Sequence, residues 1–214
     1  MPPELARSFS QLSADVIRLS ARWDLYRQLF SLGPLRVQLL ERTAASFFMV
    51  LNFVLLDDIV LGMCRLFDPP RSGSNDNLVL KVLLEHLEEV APELEQEMSR
   101  RLAPMVAKVK PLRAARHKRI AHRDRALALG LEPEGYLPSF SRPMVGELLG
   151  EVQAFLNAIE SHFDHRTIAY DHIVNPDGAD ALVQHLVQAV EFERRLKLGQ
   201  IPWDWRRDSE FRDA

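Results

Sequence analysis

The chain has 214 residues, 47% hydrophobic and 27% charged, which is the composition of a globular protein with a real core and excludes wholesale disorder or a fibrous repeat. Its one cysteine, Cys64, excludes an internal disulfide and a cysteine-only zinc site. The formal charge of −3 makes no global demand for nucleic acid or an anionic membrane.

The first residues, MPPELARSFS, lack the apolar core of a signal peptide. Leu12, Val16, Leu19, Trp23, Tyr26 and Phe30 then recur at spacings of three and four, one face of an amphipathic helix. Ser13 is a candidate cap for it, and Gly33-Pro34 ends it. A second helix is expected from Pro34 to about Phe67, carrying Leu40, Phe47, Phe48, Leu51, Val54, Leu55, Ile59 and Leu61. Its middle is apolar nearly all round, which reads as the buried central helix of a bundle. The most apolar stretch, Ala44 to Leu56, is thirteen residues long and is interrupted by Asn52, against roughly 20 for a bilayer span. No membrane is therefore expected, and a cytoplasmic location is.

Asp68-Pro69-Pro70 stops the second helix, and DPPRSGSND over 68–76 is a loop by composition. Asn75 or Asp76 would cap a third helix with Leu78, Val82, Leu83 and Leu87. Pro92 starts a fourth, with Leu94, Met98, Leu102, Met105, Val106 and Val109. Pro111 either kinks that helix or begins another that runs to about Leu129. A loop over 130–142 follows, then a helix from Pro143 with Val145, Leu148, Leu149, Val152, Phe155, Leu156 and Ile159. A last helix is expected over 179–198, after the turn Asn175-Pro176-Asp177-Gly178. No strand pattern is convincing, and residues 167–174 are at most extended. The fold class is all-α, a bundle of five to seven helices in one domain over 1–200, with a polar tail over 201–214.

Charge is segregated along the chain. Six glutamates lie between Glu85 and Glu97, whereas Arg100 to Arg125 holds ten lysines and arginines against one acid, Asp124. A basic stripe on an acidic protein points to a local anion site. The plainer reading is a solvated helix face paired with its acidic neighbour. The stripe also contains His117 and His122, within Arg113-Ala-Ala-Arg116-His117-Lys-Arg119-Ile-Ala-His122-Arg-Asp124. An imidazole exchanges protons near neutral pH, and guanidiniums grip phosphates bidentately. Those are the groups that metal-free RNA cleavage requires: a base for the 2′-hydroxyl proton and a fixed cation for the charge growing on the phosphoryl oxygens.

Arg116 and His122 are separated by five residues. This resembles the Arg-x(4–6)-His motif of HEPN domains, helical bundles that are commonly ribonucleases working as homodimers with a composite site. The resemblance extends to the AbiU-like branch linked to phage abortive infection. It is carried by Trp23-x2-Tyr26, by the long apolar helix ending Arg65-Leu66-Phe67-Asp68, by the Asn77-Leu78 helix start and by Arg116-His-Lys-Arg-Ile-Ala-His122-Arg-Asp124, over about residues 15–195. Where that branch favours Asn after the arginine, this chain has His117. The resemblance implies catalytic Arg116 and His122, with His117, Arg119, Asp124 and Arg113 supporting or binding phosphate. It implies RNA as substrate, no cofactor and no metal, a homodimer, an inhibitory antitoxin partner and a toxin-like antiviral role.

On a straight helix the six steps from Arg116 to His122 turn them about 120° apart and roughly 9 Å along the axis, so they do not share a narrow face. Arg119 and His122, at i and i+3, do. Either the helix is irregular after Pro111 or two copies bring their motifs together. The rival reading is a non-catalytic helical module that dimerises or binds RNA or an acidic protein. DNA binding lacks the second helix that a helix-turn-helix would need.

Other candidates are weaker. His162-x2-His165 and His172, near Asp164 and Asp171, have no third metal ligand at standard spacing. Asp57 or Asp58 is a candidate partner for a neighbouring helix or for the basic segment. Cys64 sits in an apolar helix and reads as inert core.

Overall fold

A computed structural model of the chain describes residues 1–121, 140–172 and 177–202. Helix α1 spans Pro3–Phe30. Leu5, Phe9, Leu12, Val16, Leu19, Trp23, Tyr26 and Phe30 are all buried along it, alternating steps of four and three. The expected stripe thus extends two turns further toward the N-terminus, and the helix starts at Pro3 rather than near Ser13. Ser13 is not a cap. It is buried inside the helix, and its Oγ lies 2.9 Å from the Tyr170 hydroxyl.

Helix α2 spans Pro34–Leu66, close to its expected bounds. It is broken at Ala44, whose φ of −156° and ψ of 65° are non-helical. Its burial differs from expectation. Leu40, Phe48, Ile59, Val60, Met63, Cys64 and Leu66 are buried, but Phe47, Met49, Val50, Phe53 and Val54 are each more than half exposed. An 18-residue stretch of α2 has a mean hydropathy of 2.0 and is only 28% buried. By length and composition alone α2 is therefore long and apolar enough to cross a membrane, which a count of the thirteen residues from Ala44 to Leu56 did not indicate.

The expected loop after α2 contains a small antiparallel ribbon, β1 Arg71–Ser72 and β2 Asn75–Asp76, paired Arg71 to Asp76 and Ser72 to Asn75. Gly73 takes a positive φ of 62° at its turn. Asn75 and Asp76 are thus strand residues, not caps. Helix α3, Leu80–Val90, begins after Val79 without a side-chain cap. Its start is fixed by burial instead, since Val79, Leu80, Leu83, Leu84 and Leu87 all face inward.

Helix α4, Pro92–Lys108, has its proline in the first turn and Glu93 and Glu95 at its positive end. Leu94, Met98, Leu102 and Met105 bury one stripe, and α4 packs on α3 and on α6. Pro111 begins a new helix: α5, Lys110–Ala115, continues into a π-helical turn over Arg116–Ala121. Helix α6, Arg142–Asp164, is capped by Ser141, whose hydroxyl accepts from the Met144 amide at 3.3 Å. It ends at His165 in the left-handed conformation. Helix α7, Ala179–Lys197, has Arg194, Arg195 and Lys197 in its last turn.

The described residues therefore form an all-α fold of seven helices with one two-residue ribbon. The chain comprises two compact units. One is Met1–Asp24 with Phe53–Ile173, whose core includes Leu12, Val16, Ile59, Met63, Leu83, Met98, Leu148 and Phe155. Within it Arg22 meets Asp58 at 3.0 Å, so Asp58 serves a neighbouring helix. The other is Leu25–Asn52 with Val174–Ala214, centred on Tyr26, Leu29, Phe30, Leu40, Phe48 and Val183. There Arg36 bridges the Gln28 carbonyl at 2.6 Å and the Asp180 carboxylate at 2.5 Å. The expected loop over 130–139, the turn at Asn175-Pro176 and the tail beyond Pro202 lie outside the described residues.

Candidate functional site

The basic stripe separates into two parts. In α4 the cations are paired locally: Arg101 with Glu97, one turn back, and Lys108 with Glu151 of α6. The Lys108 pKa is held up by its bond to Glu151. Arg100 Nε donates to the Gln96 carbonyl at 3.1 Å. This is the solvated, charge-paired face that the plainer reading expects.

Beyond Val109 the arrangement changes. Pro111 has no amide to donate backward, so α4 closes at Lys108 and α5 restarts with Pro111 in its first turn. Leu112 and Ala115 bury one side of this six-residue helix. From Arg116 the backbone opens into the π-helical turn, an irregularity after Pro111 that is one of the two alternatives for the motif spacing, the pairing of two copies being the other. Such turns are rare and recur at functional sites, because the extra residue redirects the side chains that follow.

Two arginines of this segment reach the end of α2. Arg113 Nη2 donates to the Phe67 carbonyl. Arg116 Nη1 donates to both oxygens of Asp68, at 2.8 and 2.9 Å. The side chains of this pair are only 18% and 24% exposed. Arg116 Nη2 lies 3.4 Å from Nε2 of the exposed His117. Arg116, His117 and Arg113 are thus brought together, but Arg113 is tied to a carbonyl rather than left for a phosphate. Arg119 lies in the π-helical turn. His122 and Asp124 lie outside the described residues.

The residue that sequence reasoning missed is Asp68. The sequence points to Asp57 or Asp58 as the acid for the basic segment, yet Asp58 meets Arg22 and it is Asp68 that meets Arg116. The available signal was an acid just before Pro69-Pro70, at the end of an apolar helix. Beneath the pair, Cys64 is fully buried. Burial pushes its thiol up to about 11, more than Arg116 and Arg113 pull it down. It is neutral at ordinary pH and is no nucleophile.

No group of three or more metal-ligating side chains occurs among the described residues. His162 stacks edge-on against Phe163, and His165 occupies the α6 C-cap. A separate cavity of about 350 Å³ lies between α1 and the end of α6, lined by Phe9, Ser13, Ile17, Glu160 and Arg166 among others. Its buried Glu160 is satisfied by Arg166 Nε at 2.5 Å. None of the motif residues lines it.

A family model for AbiU2, of the HEPN type, matches residues 2–182. No curated protein and no solved structure matches the chain. The match spans α1 to α6 and the first residues of α7, and so includes the end of α2 and the Arg116-to-His122 segment. The chain belongs to the AbiU2 family of HEPN domains, with the abortive-infection-related role that membership supports.

Proposed function

We propose that the chain is a metal-independent endoribonuclease acting in phage defence as a toxin-like homodimer. The observation that carries this reading is Arg116, set at the head of a π-helical turn and gripped from behind by Asp68, with His117 alongside and His122 next in the motif. In the proposed reaction His122 takes the 2′-hydroxyl proton. The 2′-oxygen bonds to the adjacent phosphorus, the bond to the 5′-oxygen breaks, and that oxygen leaves with a proton from an imidazolium. Arg116 offsets the charge that grows on the phosphoryl oxygens. His117, Arg119 and Asp124 support it, and Arg113 serves by fixing the segment. The products are a 2′,3′-cyclic phosphate and a 5′-hydroxyl. A second copy would complete the site, an inhibitory partner would restrain it, and the cytoplasm is where its RNA lies.

The test is cleavage of RNA by the purified full chain in excess EDTA, with end-group analysis. Cleavage should persist, leave 5′-hydroxyl ends, and disappear in His122→Ala and Arg116→Ala. Dependence on a divalent metal, or His122→Ala cutting like wild type, would overturn the mechanism. A second reading, a non-catalytic module that binds RNA or an acidic protein, is favoured by one observation: the Arg116 guanidinium already has a carboxylate partner. It predicts RNA binding without cleavage by a folded dimer.

A further inference from the structure

We propose that Asp68 is a positioning residue for Arg116: it holds the guanidinium by one nitrogen and leaves the opposite edge to a phosphate. This rests on the ribonuclease reading of Arg116. A guanidinium is a planar fork with five N–H donors, and it grips a phosphate through two parallel bonds along one edge. Both Asp68 oxygens lie against Nη1, at 2.8 and 2.9 Å. Among the described residues' hydrogen bonds, none joins Asp68 to Nη2 or Nε. Asp68 therefore leaves the Nη2–Nε edge unbonded; among the described residues that edge meets His117 Nε2, 3.4 Å from Nη2, and it is the edge assigned to the phosphate.

Asp68 is itself anchored on both sides. The Phe67 carbonyl before it accepts from Arg113. The Pro69 carbonyl after it accepts from the Asn77 side chain at 2.8 Å, and the Pro70 carbonyl from the Asn77 amide at 2.6 Å. Its own amide donates to the Arg65 carbonyl at 3.3 Å. Two prolines stiffen this stretch further. A long, many-rotamer arginine is thus held by a short side chain on a fixed backbone, which is what a site needs if its cation is to meet charge only where charge develops.

The same pairing sets the sign of the expected effects. Asp68 cancels the charge of Arg116, so it weakens attraction for RNA in general while orienting the cation for one phosphate. Removing the carboxylate should split binding from turnover. In the full chain, Asp68→Asn should bind RNA as tightly as wild type or tighter, with KM equal or lower, while kcat falls at least tenfold. Asp68→Ala should fall further, and Asp68→Glu should recover part of the loss. A merely structural acid would lower stability and active fraction, and so apparent kcat, without tightening RNA binding or lowering KM. A kcat that is unchanged or raised in folded Asp68→Asn would overturn the proposal, a rise marking Asp68 as an inhibitory contact instead.

A second measurement does not depend on cleavage. In 15N-labelled protein, with Arg116→Lys as the assignment control, the Arg116 side-chain N–H signals should exchange slowly in wild type and lose that protection in Asp68→Asn. Signals that exchange as freely as those of surface arginines in wild type would sink the proposal whether or not RNA is cut. Protected signals in a chain that cuts no RNA would instead count against the ribonuclease reading alone, and tighter RNA binding by Asp68→Asn would then carry the positioning role.

Discussion

The first part of α2, up to Val54, and its last part, from Ile59, are nearly alike in apolar content and differ in environment, although Leu40 and Phe48 of the first part are buried. Phe47, Met49, Val50, Phe53 and Val54 present an apolar stripe to solvent, whereas Ile59, Val60, Met63, Cys64 and Leu66 are buried. The buried half carries the site, because its end delivers the Phe67 carbonyl and the Asp68 carboxylate to the arginines of the next-but-two helix. Hydropathy alone does not distinguish the halves. What does is whether another helix lies against them, and that is a property of the whole chain.

The comparison breaks most visibly at the buried half. Ile59 is fully buried. Ile59→Ala removes packed methylenes and leaves a cavity, so it should cost about 2–4 kcal/mol, read as a lower urea midpoint at unchanged m-value. A loss below about 1 kcal/mol would mean that the packing around Ile59 is looser than the structure has it.

Arg116→Met comes next. It leaves the Asp68 carboxylate largely buried without its cation, at a cost of about 1–3 kcal/mol. Asp68→Asn in the same chain should return part of that loss, because the orphaned charge is then gone. A double-mutant cycle by urea unfolding measures the coupling, and a coupling near zero would show that the pair contributes nothing to the fold.

Cys64 sharpens the comparison by chemistry. Its thiol is raised to about 11 from an ordinary 9.0, first of all by burial. In the folded chain it should react with a thiol reagent at pH 8 far more slowly than in urea. The stabilising effect of keeping it neutral is complete below about pH 9 and is lost as pH rises toward 11, since the unfolded thiol ionises first. Rapid labelling of the native protein at pH 8 would show that this half of α2 opens readily.

Much of the fold was legible from spacing and punctuation. The four-three alternation from Leu12 to Phe30, the prolines at Pro34, Pro92 and Pro111 and the stop at Pro69-Pro70 each mark an element that forms. What was not legible is tertiary. Ser13 reads as a cap until Tyr170, 157 residues away, is seen bonded to it. Ala44 breaks α2 although it is an intrinsically favourable helix residue, and no proline or glycine beside it announces the break. At the site, Arg116 was readable from the motif, and an irregular helix after Pro111 only as one of two geometric alternatives. Its partner Asp68 lies 48 residues upstream, a pairing that local pattern does not encode.

The smallest expected effect falls on the exposed half. Phe47 and Val50 are 60% and 56% exposed. On the same helix they lie three residues apart, one turn of a single face. Substituting both by serine removes mostly exposed apolar surface, with the Phe47 ring's edge contact to Phe48, so little transfer free energy is lost and no enclosed cavity forms. The serines lower helix propensity slightly relative to better helix formers, but Val and Phe rank no higher, so propensity stays nearly level. The urea midpoint of Phe47→Ser/Val50→Ser should therefore move by no more than about 0.5 kcal/mol equivalent at low protein concentration. A loss on the scale of Ile59→Ala would show that the stripe is buried in the folded protein in solution. The two halves of α2 would then have the same environment as well as the same composition, and the contrast between them would fall.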